Sequence, residues 1–407
     1  MRSGNEARKA SDVNRRLRVA YPVIGVEVGG SAVSTAEMLR RLCADGRVDP
    51  VIVTPGEGPS TRLFRAAGVE PRLYRPVSRD RGRLVTSTST WSGRARAIPV
   101  YLTVYREACK AVVDERIDIV HINEDRAMLP WALAARRVGV PLIWHVRQER
   151  ANRWLDGLRL SLADQLIFVA EANRVRFAGR RQPPSITLPN VVDLTRFVPT
   201  ADRREAKQAL GLHPDRLTVT FVGNLVERKR PTWVLRAAAE LQRNRRLQVL
   251  LVGAPLGPQR YVETLRALAA RTPEPKHVHL LGARNDVPAI LAASDVLTLP
   301  SVRHGEAFPR SVIEALAAGV CVVATDVAGV REAVRHGVDG LLVDPDDETG
   351  YRQALARVLD DDAERECMAR AAAPGAAARF GGETMAQTLV ELYQSLWTER
   401  RRVELHS

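Results

Sequence analysis

His304-Gly305-Glu306-Ala307-Phe308-Pro309-Arg310-Ser311-Val312-Ile313-Glu314-Ala315-Leu316-Ala317-Ala318-Gly319 is the stretch from which the rest of the chain is read. The apolar run Val296-Leu297-Thr298-Leu299-Pro300 before it predicts a buried parallel strand closed by proline. Pro309 suits the start of a helix, where a missing N–H costs nothing. Ser311 to Ala318 is strong helix-forming sequence, and Gly319 stops it. Strand, loop and helix N-terminus thus follow one another, with Glu306 in the loop and Glu314 about one turn into the helix. The first N–H groups of a helix lack internal partners and carry the positive end of its dipole, which suits a phosphate. A carboxylate on each side accepts hydrogen bonds from hydroxyls. Together they are suited to a sugar, a diphosphate and a ribose in a row.

The following segment keeps the same style. Val320 to Ala324 reads as a second buried strand, Val327 to Val334 as a turn into a helix, and His336 to Gly340 as a turn before Leu341-Leu342-Val343. Here the sequence resembles the signature region of retaining, nucleotide-sugar-dependent glycosyltransferases of the GT-B fold, glycosyltransferase family 4 (glycosyl transferases group 1). The resemblance is strongest from Thr218 to Asp346 and rests on the paired glutamates. It implies an α/β protein of two Rossmann-like, doubly wound parallel-sheet domains facing a cleft.

With 407 residues, 45% of them hydrophobic, the chain is long enough for two domains that each bury a core. No run approaches the roughly 18 apolar residues that a spanning helix needs, and the polar N-terminus has no signal-type core. Cys43, Cys109, Cys321 and Cys367 are far apart and read as buried thiols of a reducing compartment. The expected location is the cytoplasm.

The net charge is +14 and almost all of the positive charge is arginine, because the chain has only Lys9, Lys110, Lys207, Lys229 and Lys276. Nine arginines fall between Arg62 and Arg96 against Glu70 and Asp80. Such a cluster attracts anionic membrane, an acidic substrate or nucleic acid. Only Tyr74 and Trp91 are interleaved with it, so stacked nucleic acid is disfavoured. A solvated, arginine-biased loop and a peripheral contact with the inner face of the plasma membrane carry nearly equal weight.

Strands alternating with helices predict parallel sheets throughout. The expected organisation is an arm over 1–16, an N-terminal acceptor-side domain over 17–198 and a C-terminal donor-side domain over 199–380. A helix over 381–407 then returns to the first domain. Gly29-Gly30, after the first strand, allows a ligand close to a helix N-terminus. A strand Val140–Trp144 leaves His145 just beyond its C-terminal end, where open parallel sheets place ligands. His121, Glu124 and Asp125 close a neighbouring strand and are read as facing the acceptor.

The resemblance assigns further roles. Gly29 and Gly30 become a glycine-rich loop facing the donor phosphates, and His145 a contact to the donor sugar. Gly223-Asn224 and Lys229 match the segment that touches the donor diphosphate, with Asn224 standing where an arginine is usual and Arg228 or Arg230 as its substitute. Glu306 and the backbone around Phe308-Pro309 are to hold sugar hydroxyls, the Arg310-Ser311-Val312 helix start the phosphates, and Glu314 the ribose. Ala307 and Pro309 replace usual glycines, and Val191 replaces a glycine in Asn190-Val191-Val192-Asp193. The implied reaction is sugar transfer from a nucleoside-diphosphate donor to a sugar or lipid-linked hydroxyl, with no cofactor or metal. Asp344-Pro345-Asp346 reads as a helix-start turn. The rival readings are a non-catalytic basic binding module and a GT-B epimerase or phosphorylase.

Overall fold

The computed structural model describes residues 15–25, 28–74, 91–148, 152 and 155–404, with side chains described outside 91–98 and 403–404. Two compact units emerge. One comprises 1–169, 174–188 and 382–407, and the other 170–173 and 189–381. The boundary lies at Leu188–Pro189, ahead of the expected 198/199.

The N-terminal unit contains β1 (Leu17–Pro22), α1 (Gly30–Asp45), β2 (Val48–Thr54), α2 (Pro59–Ala66), β3 (Arg72–Leu73) and α3 (Trp91–Asp114). It continues with β4 (Ile119–Ile122), α4 (Asp125–Val138), β5 (Leu142–Val146), α5 (Leu155–Leu162), β6 (Gln165–Phe168) and β7 (Ser185–Thr187). The C-terminal unit runs through α6 (Arg203–Ala209), β8 (Leu217–Val222), α7 (Pro231–Leu241), β9 (Leu247–Val252), α8 (Gln259–Ala270), β10 (Val278–Gly282) and α9 (Val287–Ala292). Then come β11 (Val296–Leu299), α10 (Arg310–Ala317), β12 (Cys321–Thr325), α11 (Ala328–Ala333), β13 (Gly340–Val343), α12 (Glu348–Asp360) and α13 (Asp362–Phe380). The last helix, α14 (Glu383–Glu404), belongs to the first unit and packs on α1.

Both sheets are parallel and doubly wound, as expected: β3-β2-β1-β4-β5-β6-β7 in the first unit and β10-β9-β8-β11-β12-β13 in the second. Helices on both faces bury the central strands completely, which is why β9, β11 and β12 are apolar without alternation. In each sheet the order reverses beside the first strand, between β1 and β4 and between β8 and β11. Loops at the C-terminal ends of such neighbours diverge and leave a crevice. Each unit has its own: the segments after β8 and β11 border it in the C-terminal unit, and those after β1 and β4 in the N-terminal unit.

Several boundaries differ from expectation. α3 begins at Trp91 and carries Pro99 within it. β5 extends through Val146, so His145 lies inside the strand instead of beyond it. Cys367 is exposed, not buried. Met1 to Asn14 and the arginines from Arg75 to Arg83 lie outside the described residues.

Behind β5 the N-terminal unit carries a buried ionic network. The Trp144 indole donates to Asp125 at 3.0 Å, and Arg176 bridges Asp125 at 2.9 Å and Asp156 at 2.8 Å. Arg159 adds a contact to Asp156 at 3.1 Å, and Arg176 lies 5.2 Å from the Trp144 ring centroid. Buried charges of this kind are tolerated only while paired. Asp125 is therefore a structural group, and the expectation that it faces an acceptor is corrected. Replacing Asp156 by Ala strips buried Arg176 and Arg159 of a shared partner. It should lower the stability of this unit by about 3 kcal/mol, read as an earlier urea midpoint in near-UV circular dichroism.

Candidate functional site

In the C-terminal unit the site grows from two strand ends. β8 runs out at Val222 into Gly223, and β9 into Gly253 beside it. A Cβ on Gly253 would stand 1.9 Å from the Gly223 carbonyl oxygen, so only glycine permits this approach. The chain after Gly223 makes one 3₁₀ turn, Glu227–Lys229, and Arg230 adopts a left-handed φ of 47° before Pro231 starts α7. That turn folds Lys229 back across Gly223, with its Nζ 3.2 Å from where a Gly223 Cβ would sit. A side chain on Gly223 would displace the lysine.

The second strand end is β11, followed by Ser301 and the loop to α10. His304 has φ 60° and Gly305 packs where a Cβ would meet the Val302 carbonyl at 2.7 Å, so this loop is tightly wound. It delivers Glu306 to Lys229: Nζ and Oε1 are 2.6 Å apart, and both side chains are about nine-tenths buried. Ser301 Oγ donates to the same Oε1 at 2.9 Å, and Thr325 Oγ1 donates to the Ser301 carbonyl at 2.7 Å. A buried carboxylate with a cation and a hydroxyl on one oxygen is held in a single orientation. The cation is movable, being the tip of a long side chain.

Beyond the loop, Pro309 is the residue before the helix, not its first residue, with φ −76° and ψ 121°. α10 therefore offers the N–H groups of its first turn, around Arg310, Ser311 and Val312. Glu314 is buried and bonded to Arg310 Nη2 at 2.8 Å, and Arg310 Nη1 donates to the Val191 carbonyl at 3.2 Å. Arg310 thus braces Glu314, a role that its position in the sequence did not disclose. Phe308 is buried edge-on against Phe380, 5.6 Å between centroids, and its carbonyl accepts from Asn190 at 2.9 Å. One lone pair of that oxygen is thus engaged, and Pro309 has no N–H to offer a sugar.

The two candidates for the cation missing at Asn224 separate clearly. Arg228 donates to the Gly305 carbonyl and lies 3.8 Å from Glu306. Arg230 turns away, stacking 4.3 Å over Trp233 and donating to the Pro345 carbonyl. Arg228 is the nearer substitute. Asp344 and Asp346 pair with Arg303 at 3.4 and 2.7 Å, which supports the turn reading of that segment.

In the N-terminal unit Gly29 is the extended residue before α1, and Gly30 is its first residue. His145 is buried within β5. Its Nδ1 stands 3.2 Å from His121 Nε2, and His121 Nδ1 stands 2.6 Å from the Tyr393 hydroxyl. Tyr21 and Tyr393 share a bond of 2.8 Å. His121 is wholly enclosed, so it faces no acceptor, and that expectation is corrected. Glu124, before α4, accepts from the Ile24 N–H at 3.3 Å, and burial raises its carboxyl above the usual range. No local signal announces the pairing of Tyr21 with Tyr393, since 372 positions separate them.

Paired glutamates after a strand end, a lysine across a glycine hinge and two doubly wound sheets define the class: a GT-B glycosyltransferase architecture. The description "Glycosyl transferases group 1" matches residues 202–374, and "Glycosyl transferase 4-like domain" matches 29–224. A D-inositol 3-phosphate glycosyltransferase of Thermobispora bispora is 33% identical over 305 residues, covering 68% of this chain and 70% of that protein. One from Corynebacterium urealyticum is 37% identical over 214 residues, covering 51% of this chain and half, 50%, of the relative. Anabaena HepE, solved with UDP-glucose, shares the fold at a TM-score of 0.77 and 21% identity, covering 93% of this chain and 100% of that one. The chain belongs to the glycosyl transferases group 1 family.

Burial drives the His121 pKa down to about 3, with Arg147 adding to the effect. His145 is lowered well below the usual value by burial, then by Arg147 and His121. Both stay neutral when folded and charge when unfolded, so the unfolded state binds more protons below about pH 6.5. Their stabilisation is present above that pH and falls as pH drops toward the folded values, by roughly 1.4 kcal/mol per unit for each. Denaturation midpoints of the N-terminal unit between about pH 6.5 and 4.5 should fall steeply, and less so in His121→Gln.

Proposed function

We propose that the protein is a retaining glycosyltransferase that moves a sugar from a nucleoside-diphosphate donor to an acceptor hydroxyl. The observation that carries this is the Lys229–Glu306 pair at 2.6 Å beside the start of α10. A diphosphate entering there meets Lys229, Arg228 and the unpaired N–H groups of the helix, all positive. Glu306, released from the lysine, accepts from a sugar hydroxyl. Glu314, braced by Arg310, accepts from the ribose. In the transition state the growing charge lies on the leaving diphosphate, where fixed positive groups act most strongly. Lys229 supplies that charge, so we infer that transfer needs no metal. Among the described residues no side chain beside Glu306 is placed as a nucleophile. Retention then follows from a front-face attack in which the departing phosphate takes the acceptor proton. His145 is proposed to donate to a sugar oxygen, and Gly29-Gly30 to face the donor phosphates.

The acceptor is proposed to be a sugar, polyol phosphate or lipid-linked hydroxyl in cell-surface glycan or glycolipid synthesis. The relatives named for D-inositol 3-phosphate put that compound in the first screen. A cytoplasmic site of action is proposed with it. Among the described residues no helix is long and apolar enough to cross a membrane.

A panel of nucleotide sugars, begun with UDP-sugars and run in excess EDTA, tests the reading. Wild type should transfer or slowly hydrolyse one donor, with the product anomer retained by NMR. Lys229→Ala should lower kcat by about 100-fold while leaving donor affinity less affected, and Glu314→Ala should weaken nucleotide binding by about 1.5–3 kcal/mol. Absence of turnover and of nucleotide binding would favour the binding-module reading.

The arginine-rich segment supports a second proposal, contact with an anionic leaflet. Arg65 is already paired with Glu57 and Glu70, so its charge is largely answered within the chain. Each remaining basic group near a surface contributes roughly 1 kcal/mol and fades with salt. Changing Arg75, Arg79, Arg81 and Arg83 together to Gln should reduce flotation with anionic vesicles at low salt. Equal flotation of wild type and variant would remove the membrane contact.

A further inference from the structure

The hydrogen-bond chain in the N-terminal unit has two possible proton directions, and Arg147 decides between them. A guanidinium can only donate. Arg147 Nη2 lies 3.4 Å from His145 Nδ1, so that nitrogen is an acceptor and the ring proton sits on Nε2. His121 Nε2, 3.2 Å from the same Nδ1, must then be the donor, which leaves His121 Nδ1 bare to accept from the Tyr393 hydroxyl at 2.6 Å. Tyr393 in turn accepts from Tyr21 at 2.8 Å. The far end agrees independently. In the reverse direction the Tyr21 hydroxyl proton, displaced from Tyr393, would have no acceptor among the described residues.

The same arginine fixes a second group. Arg147 Nε donates to Asn123 Oδ1 at 3.0 Å, so the Asn123 carboxamide must turn its Nδ2 away. His145 Nε2 and Asn123 Nδ2 are both buried, and neither has a partner among the described residues. A buried N–H without an acceptor costs about 1–3 kcal/mol. Both orphaned donors belong to side chains that the same guanidinium holds, and each is short of an acceptor oxygen. Both histidines remain neutral through burial, which keeps the chain free of extra protons.

We propose that Tyr393, His121 and Arg147 are positioning residues that hold His145 as the Nε2–H tautomer, so that His145 and Asn123 act together as donors to an oxygen of the bound sugar. This rests on the glycosyltransferase reading above and deepens it. His145 then serves as a fixed hydrogen-bond donor and takes no part as a base or nucleophile. Tyr393 lies on α14, so the last helix of the chain is part of the machinery that orients a strand residue of the first unit.

Long-range ¹⁵N–¹H correlation spectra of histidine-labelled full-length protein read the tautomer directly, with His145→Gln assigning the signal. The expected result is a protonated Nε2 and a bare Nδ1 on His145, unmoved between about pH 6 and 8. Removing both donors to Nδ1, in the double variant His121→Leu with Arg147→Leu, should mix the tautomers. His121→Gln, whose amide N–H reaches the position of the imidazole Nε2, should preserve the single form. Tyr393→Phe should lower kcat at least about tenfold, by analogy with partners that fix a histidine tautomer elsewhere, with nucleoside-diphosphate affinity unchanged. A protonated Nδ1 in wild type, or an unmixed His145 signal in the double variant His121→Leu with Arg147→Leu, would overturn the proposal. If the tautomer is as expected yet His145→Ala transfers sugar at the wild-type rate, the relay stands and the sugar contact falls.

Discussion

Lys229 and Glu306 are the charges around which the C-terminal unit is arranged. A buried carboxylate and a buried ammonium cost several kcal/mol each when separated. Whatever brings them together must therefore be rigid, and the fold supplies that rigidity at a sheet's switch point. β8 and β11 are neighbours, yet their connections leave in opposite senses, so the loops that follow diverge around a space. The glycine hinge at Gly223 and Gly253 turns one loop, and the wound segment around His304 and Gly305 turns the other. The pair is stable without a ligand and still exchangeable. A diphosphate offers the lysine a stronger partner, and sugar hydroxyls offer the carboxylate donors in return.

The N-terminal unit solves a different problem with the same means. Along the chain from Tyr21 to His145 the polar groups are neutral and enclosed, so direction matters more than charge. One arginine at the end of β5 polarises an imidazole and a carboxamide. A chain of aromatic hydroxyls and rings supplies the proton that the second imidazole needs. On the opposite face of β5, Trp144 is tied to Asp125, Arg176 and Asp156, so the strand carrying His145 is held from both sides.

Much of this was legible in the sequence because the signals are local. Apolar runs without alternation announced buried parallel strands, and Ser311 to Gly319 announced a helix with its stop. Lys229 and the two glutamates stood out through the resemblance to the glycosyltransferase motif, which is itself a local signal. The illegible parts depend on long-range contact. Nothing near Arg310 says that it braces Glu314 instead of greeting a phosphate, because the Val191 carbonyl that fixes it comes from a distant turn. His121 reads as a strand-end group until Tyr393, from the last helix, is seen to enclose it. Likewise Asp125 looks like a surface acid until Arg176 and Trp144 close over it. The strand carrying His145 was ended two residues early, at Trp144 instead of Val146, because periodicity cannot locate the end of a wholly buried strand.

The central claim is that Lys229 leaves Glu306 to hold a diphosphate. Titration calorimetry comparing a nucleoside diphosphate with the matching monophosphate, in wild type and in Lys229→Ala, tests it most directly. The account predicts that wild type prefers the diphosphate by at least about tenfold, equivalent to 1.4 kcal/mol, and that the preference largely disappears in the variant. Equal affinity for the two nucleotides in wild type, or an undiminished preference in Lys229→Ala, would contradict it.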